Sequence, residues 1–193
     1  MHKIQNFIDF LKNELNINFL EININSLFSA SELNHRLNIR HEIVNKYHNQ
    51  LTEQEISCIK ILNLIPCSKK LCFSISHTKK IGGFAVSHDA IGLDLEQSAR
   101  ISKKLIQRVC SDQEIQTAPD FKYLWVAKES ILKVASFSMT ENLLLSNVKL
   151  NGWVKKNDFH LFNGSIDENN NFSGCVFNFD NTFLISVSRK LIN

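Results

Sequence analysis

One amphipathic helix, predicted over residues 121–135, constrains the fold of this chain more than any other stretch. Its apolar side chains recur at three- and four-residue steps and form one stripe, made of Leu124, Ala127, Ile131 and Val134. Asp120 can cap the first turn, because a carboxylate there accepts hydrogen bonds from free backbone N–H groups. Such a helix has to bury its stripe against another element of the fold.

Two charged residues of this helix, Glu129 and Lys133, are four residues apart and therefore share one face. For such a pair alone, the simplest interpretation is an exposed salt bridge. A functional interpretation depends on the carboxylates that precede the helix in the chain.

Composition limits the classes of protein to which the chain can belong. Its 193 residues can form one domain or two small packed halves, and no run approaches the roughly eighteen apolar residues of a membrane span. A net charge of +3 is too small to predict a nucleic-acid partner. The amphipathic N-terminus lacks the pattern of a signal peptide, so we expect a cytoplasmic protein without a membrane partner.

The cysteines indicate neither a disulfide framework nor a zinc site. There are five, an odd number, and no two of them form a CxxC pair. Reduced and mostly buried thiols are the expected state.

Helical and strand patterns are both present, which predicts an α+β fold. Before residue 71, the predicted elements are a helix at 3–15, a strand at 17–24, a helix from Leu33 to Val44 capped by Ser29 or Ser31, and a helix opened by Thr52 and Glu55 and ended by Pro66. After it, strands are predicted at 72–76, 81–87 and 90–96, a helix at 101–110, a capping box at Ser111 and Glu114, and strands at 143–150, 152–154, 158–162, 172–179 and 182–188.

The two parts of the chain have a similar order of elements. Each contains helices and closes with a predicted β-hairpin. This similarity predicts a boundary near residue 90, with an N-terminal half at 1–90 and a C-terminal half at 91–193. No Pro/Gly/Ser-rich linker separates the halves, so we expect them to pack together.

Asp94 and Glu96 are the most informative polar residues. In a strand, residues two apart point to the same face, and two carboxylates there repel each other unless a cation or a shared proton neutralises them. If this strand packs beside the helix at 121–135, Glu129 becomes a third oxygen ligand, and three carboxylates suit Mg²⁺. The equally weighted alternative is that Asp94 and Glu96 lie on the exposed face of an edge strand.

A phosphate-binding site is indicated by polar residues at the end of an earlier strand. Ser76, His77 and Thr78 offer several hydrogen-bond donors at one place, and Lys69 and Lys70 precede the strand. Lys133, on the same helix face as Glu129, could meet the charge of a leaving phosphate.

Three segments together resemble the signature of a known enzyme family. FSISHT at 73–78, IGLDLE at 91–96 and WVAKESILK at 125–133 occur in the order found in the phosphopantetheinyl transferases, and they are similar to the larger, surfactin-synthetase-activating type. Any one of these segments alone is a weak signal, whereas the ordered set is specific.

The resemblance implies a pseudo-dimer of two similar α+β halves with the active site in the cleft between them. The implied reaction transfers the phosphopantetheine arm of coenzyme A (CoA) to a serine of an apo acyl or peptidyl carrier protein, with Mg²⁺ as cofactor and a monomeric enzyme. Asp94, Glu96 and Glu129 would hold the metal, with Glu129 also the catalytic base and Lys133 stabilising the leaving phosphate. The residues that would bind CoA are Ser76, His77, Lys133, Lys70 or Lys69, and Arg40 or Arg36.

Three features depart from the family pattern. The segment VASFSMTENLLL after Lys133 lacks the expected glycine turn, the interval between Asp94 and Glu129 is short, and the N-terminal half is trimmed. The altered segment and the trimmed half leave a second hypothesis open, in which a non-catalytic relative binds CoA or a carrier protein. A third, a different Mg²⁺-dependent enzyme acting on nucleotides, has no Gly-rich phosphate loop to support it.

Overall fold

The strands of this protein form two antiparallel sheets in the computed structural model, which describes residues 2–61, 70–136 and 143–191. The combination of these sheets with helices confirms the predicted α+β class. The predicted end of a helix at Pro66 lies outside the described residues.

The first sheet has three strands in the spatial order β1-β3-β2. They are β1 (Leu20–Asn25), β2 (Cys72–His77) and β3 (Gly82–Ser87). Three helices accompany them: α1 (His2–Glu14), α2 (His35–Tyr47) and α3 (Glu53–Ile61). One face of this sheet packs on α2 through a buried apolar cluster that contains Phe73, Phe84 and Ile43.

The second sheet has five strands in the order β4-β8-β7-β6-β5. They are β4 (Ile91–Gln97), β5 (Lys149–Lys156), β6 (Phe159–Ser165), β7 (Asn171–Phe179) and β8 (Phe183–Lys190). Its helices are α4 (Lys103–Ile106), α5 (Asp112–Thr117) and α6 (Phe121–Ala135). Helix α6 covers one face, and Phe7 of α1 stacks on Phe159 and Phe177 of the other face.

Serine side chains of β2 join the two sheets. The Ser74 hydroxyl accepts a hydrogen bond from the Leu93 N–H group at 2.8 Å, and the Ser76 hydroxyl accepts one from the Leu95 N–H group at 3.0 Å. Because the outer edge of β4 has no neighbouring strand in its own sheet, these hydroxyls satisfy backbone donors that would otherwise be buried without partners.

Helix α6 has the bounds that the sequence predicts. The Asp120 side chain accepts a hydrogen bond from the Lys122 N–H group at 2.9 Å and caps the first turn. Strand β4 lies very close to the helix, since a Cβ atom on Gly92 would lie 1.9 Å from the Ser130 carbonyl oxygen. The Ser130 hydroxyl also bonds the hydroxyls of Ser186 and Ser188 on β8, so small polar side chains fix the distance between helix and sheet.

Two predicted helices differ from those observed. Helix α2 begins at His35 after Asn34, which has a left-handed φ of 60°, whereas Ser29 and Ser31 bond each other instead of capping it. The helix predicted at 101–110 is only the four residues of α4, because a second cap at Ser111 starts α5 shortly afterwards.

The predicted capping boxes and the last hairpin turn are confirmed. Thr52 with Glu55, and Ser111 with Glu114, exchange the expected side-chain and backbone hydrogen bonds. Asp180 and Asn181 connect β7 to β8 and both have positive φ, as a tight hairpin turn requires.

Three cysteines, Cys58, Cys110 and Cys175, are free as expected, whereas Cys72 is disulfide-bonded, contrary to the expectation of reduced thiols. Within the described residues, no helix combines the length and apolar character needed to cross a membrane.

Candidate active site

Asp94 is the residue around which the site is built. Its neighbours Leu93 and Leu95 point into the apolar core and are almost fully buried, so the alternation of the strand turns Asp94 towards α6. The Asp94 side chain is only 9% exposed. A carboxylate buried to this degree needs compensating partners, and the described residues supply two.

The first partner of Asp94 is Lys133, from the last turn of α6. The Lys133 ammonium lies 2.8 Å from Asp94 Oδ1 and also donates to the Leu93 carbonyl oxygen at 2.8 Å. The ion pair of Lys133 is therefore a tertiary contact with β4 and not the simple helical bridge to Glu129. This contact joins the helix segment WVAKESILK to the strand segment IGLDLE.

The second partner is Ser76 on β2. Its hydroxyl donates to Asp94 Oδ1 at 3.1 Å while accepting from the Leu95 N–H group. Ser76 is buried and its proton is already used, so in this structure it orients the Asp94 carboxylate. A direct contact of Ser76 with a CoA phosphate stays a prediction.

Glu96 and Glu129 add two further carboxylates beside Asp94. Burial, together with the charge of Asp94, raises the pKa of Glu96, although Arg100 and the Gln97 N–H group bind its Oε1 atom at 3.2 and 2.8 Å. Burial raises the pKa of Glu129 as well. The charges of Asp94 and Glu96 raise it further, whereas Lys133 lowers it. In the described part of the chain, no hydrogen bond reaches the Glu129 carboxylate.

These three carboxylates have the chemistry of a Mg²⁺ site, but they are not assembled as a closed set of ligands. Among residues 2–61, 70–136 and 143–191, no group of three His, Cys, Asp or Glu side chains converges closely enough to hold a metal. The donors are nevertheless all oxygen atoms, and the three carboxylates outnumber Lys133 and Arg100, which pair with them in the described part of the chain. The residues fit a cation that prefers oxygen ligands and keeps several waters.

His77 and the first residues of α2 form a second group of polar side chains near Asp94. The His77 ring contacts the ring of His35, with centroids 4.6 Å apart, at the start of α2. Burial, then the nearby His35, Arg36 and Lys133, lower the pKa of His77 to about 4, and only Asp94 opposes them. His77 is therefore neutral at pH 7.

His35 lies beside this site but was not predicted as a site residue from the sequence. Its Nε2 atom is buried and has no hydrogen-bond partner among the described residues. Its position beside Arg36 in the first turn of a helix could have indicated an anion-binding residue, because backbone N–H groups there are also free to bind an anion. Its contact with His77 joins residues far apart in the sequence and could not be inferred from spacing.

The remaining candidates for CoA binding lie in different settings. Arg40 is buried and its Nη1 atom donates to the Ile59 carbonyl oxygen at 2.8 Å, which connects α2 to α3. Lys70 lies exposed just before β2, and Lys69 is outside the described residues. For both Arg40 and Lys70, CoA binding stays a prediction.

Comparisons with known proteins add no relative to this picture. A scan of the chain against protein-family models finds no match, and a search of curated proteins finds none either.

Proposed function

We propose that this protein is a Mg²⁺-dependent phosphopantetheinyl transferase that modifies a serine of an apo acyl or peptidyl carrier protein. One observation carries the proposal: the Lys133–Asp94 ion pair brings WVAKESILK onto IGLDLE, and Ser76 of FSISHT binds the same Asp94 oxygen. The three segments behind the family resemblance thus meet at one carboxylate. Segments that only resembled the family by chance would have no reason to converge there.

In the proposed reaction, the carrier serine attacks the phosphorus that bears the pantetheine arm. A P–O bond to the serine forms, the pyrophosphate P–O bond breaks, and adenosine 3′,5′-bisphosphate leaves. Glu129 takes the serine proton as a general base, a role open to a carboxylate to which no described residue donates a hydrogen bond. Lys133 stabilises the charge that develops on the leaving phosphate.

The metal would be held by Asp94, Glu96 and Glu129. When bound, Mg²⁺ supplies positive charge next to the pyrophosphate oxygens. Burial, together with the charge of Asp94, raises the pKa values of Glu96 and Glu129, although Lys133 and Arg100 lie close by. A divalent cation would compensate these buried carboxylates, which supports the assignment.

The proposal includes the architecture that the resemblance implies. The chain would consist of an N-terminal half at 1–90, which contributes to CoA binding, and a C-terminal half at 91–193, which carries the metal site and α6. The first sheet lies within the former range and the second within the latter, and β2 contacts β4 where the two meet. The cleft between the halves would hold the active site of a cytoplasmic monomer.

The direct test is transfer to a carrier protein. The protein is incubated with CoA, Mg²⁺ and several apo-carrier proteins, and the carriers are weighed by mass spectrometry. We expect the mass of one phosphopantetheine to be added to at least one carrier, and the gain to disappear when a chelator removes Mg²⁺. A carrier panel that covers fatty acid, polyketide and peptide pathways and shows no gain would contradict the proposal.

A non-catalytic relative is the second candidate, and one observation favours it. Lys133 already compensates Asp94, and the carboxylates do not converge as a ligand set in the described residues. Such a protein would bind CoA or a carrier without transfer. Calorimetric titration with CoA, run beside the mass assay, separates the two candidates.

The His35–His77 contact leads to a prediction about the phosphates of CoA. Replacing His35 by Ala is expected to raise the KM for CoA about tenfold, because one hydrogen bond to a charged group is worth roughly 1.5 kcal/mol. Dephospho-CoA lacks the 3′-phosphate, so its KM should change much less if that phosphate is the one bound. His48→Ala, at the exposed residue that directly follows the far end of α2, is the matched control. Equal changes for both substrates would contradict the assignment.

A further inference from the structure

Lys128 is a fully buried lysine directly before Glu129 in α6. Its ammonium donates three hydrogen bonds: to Glu114 Oε1 at 2.8 Å, to the Val109 carbonyl oxygen at 3.0 Å and to the Val148 carbonyl oxygen at 2.6 Å. An ammonium group has three donors, so all of them are used inside the protein. Lys128 therefore has no donor left for a substrate.

Both carboxylate oxygens of Glu114 also accept hydrogen bonds inside the protein. Its Oε1 atom also accepts from the Leu150 N–H group at 3.0 Å, and its Oε2 atom accepts from the N–H and hydroxyl groups of Ser111. Burial acts to raise the pKa of Glu114, but the hydrogen bonds from Lys128, Ser111 and Leu150 outweigh it and hold that pKa below the usual value. The pair thus connects α5, the start of β5 and α6 through charged and backbone groups.

A buried ion pair is a costly way to hold three elements together. Apolar side chains of similar volume often stabilise a core equally well, because two charges have to lose their hydration when they are buried. The pair fixes the relative orientation of the three elements, since its hydrogen bonds are satisfied in one arrangement of them. The helix can neither rotate nor shift along β5 without breaking them.

The orientation of α6 matters for the site because Lys128 directly precedes Glu129. Consecutive residues of a helix are about 100° apart around its axis. Lys128 is held by α5 and β5, so the next residue, Glu129, is turned towards Asp94 and Glu96, and Lys133 follows one turn later. On another side, Ser130 is held by Ser186 and Ser188 of β8.

We infer that the Lys128–Glu114 pair is a positioning device that sets the rotation of α6 and thereby places Glu129 and Lys133 against Asp94. This inference rests on the proposed function for its kinetic consequence. Lys128 acts through the helix and is not a catalytic residue, because it does not touch the reacting atoms.

The test compares a single variant with a compensated one. Lys128→Met leaves Glu114 charged and buried without its cation, so we expect a lower Tm and a kcat about a hundredfold lower, the size of effect that a displacement of about 1 Å can cause. The double variant Lys128→Gln with Glu114→Gln removes both charges but keeps directional hydrogen bonding. The amide at position 128 can donate, and the amide at position 114 can still accept, also from the Leu150 N–H group. The double variant should regain most of the Tm and of kcat, with the KM for CoA unchanged throughout.

Lys122→Met is the matched control on the same helix and should leave kcat unaltered. The Lys122 ammonium donates to the Ser98 hydroxyl and lies over the Phe121 ring, away from the Lys128–Glu114 pair. A double variant that folds like the wild type but stays inactive, or whose KM for CoA rises, would overturn the inference in favour of a substrate contact. A double variant that recovers neither Tm nor kcat would overturn it as well, because the pair would then not act as an exchangeable unit.

A readout independent of catalysis separates this inference from the proposed function. In amide NMR spectra, the resonances of Glu129, Lys133 and Asp94 should shift in Lys128→Met and return in the double variant. If the wild-type protein transfers nothing to any carrier, the proposed function fails while these spectra still decide the positioning role. Resonances that stay in place in Lys128→Met would refute that role even in an active enzyme.

Discussion

Replacing Glu129 by Gln is expected to abolish phosphopantetheine transfer while raising the Tm of the folded protein at neutral pH. Loss of a general base lowers a rate by about 10²–10⁴-fold, and the amide also removes one oxygen ligand of the proposed metal site. The Tm rises because the substitution removes a charge that burial and the neighbouring Asp94 and Glu96 disfavour. For a chain of this length, each kcal/mol of added stability raises the Tm by roughly 2–4 °C.

The stability effect should depend on pH in one direction. Since the pKa of Glu129 is higher in the folded than in the unfolded state, the fold holds this proton more tightly. The stabilisation of the fold by this bound proton is complete below the unfolded pKa of about 4.3, and it is lost as the pH rises through the folded pKa. The Tm advantage of Glu129→Gln over the wild type should therefore be present at pH 7 and vanish near pH 4.

Two measurements check this result: thermal unfolding at both pH values and the mass assay for transfer. Exposed Glu168→Gln is the control and should change neither quantity. Transfer at the wild-type rate by Glu129→Gln would show that the base and ligand assignments are wrong. A Tm that falls at pH 7 would show that Glu129 has a stabilising partner.

The second large effect is expected from Gly92→Val on β4. A Cβ atom at this position would lie 1.9 Å from the Ser130 carbonyl oxygen, which belongs to a helix backbone and cannot move aside as a flexible side chain does. Overpacking of this kind costs about 1–3 kcal/mol or more, which predicts a Tm lower by several degrees. Because the strand and α6 would be forced apart, the Asp94–Lys133 ion pair should break and transfer should be lost.

Thermal unfolding of Gly92→Ala and Gly92→Val tests this argument, since the loss should already be present with a single methyl group. Ser173→Ala, on β7 of the same sheet, controls for a general sensitivity of the sheet to substitution. A Gly92→Ala variant with unchanged Tm and transfer rate would mean that β4 and α6 can separate without damage to the site.

Local patterns predict much of this fold because they have local causes. The bounds of α6 follow from its apolar stripe and the Asp120 cap, and the alternation around Asp94 predicts which residues of β4 join the apolar core. The Ser111 capping box is equally visible in the sequence. In each case the hydrogen bonds or periodicity involve residues within a few positions of each other.

The features that the sequence did not reveal depend on tertiary contacts. Spacing offers Glu129 as the partner of Lys133, but the packing of α6 on β4 selects Asp94. The start of α2 was misplaced because Asn34 makes no capping hydrogen bond with its side chain. The role of Ser76 could not be inferred either, since nothing in the sequence indicates that β2 lies along the outer edge of β4.

The serine contacts along that edge also change what β4 offers to another strand. An edge strand with free N–H groups can recruit a strand from another molecule and begin an aggregate. On β4, the N–H groups of Leu93 and Leu95 are already occupied by Ser74 and Ser76, so this edge offers an incoming strand fewer donors. The opposite edge, β5, carries Lys149, Lys155 and Lys156, whose charges disfavour strand addition there. The Ser76 hydroxyl that orients Asp94 thus also occupies a backbone donor at the edge of the sheet.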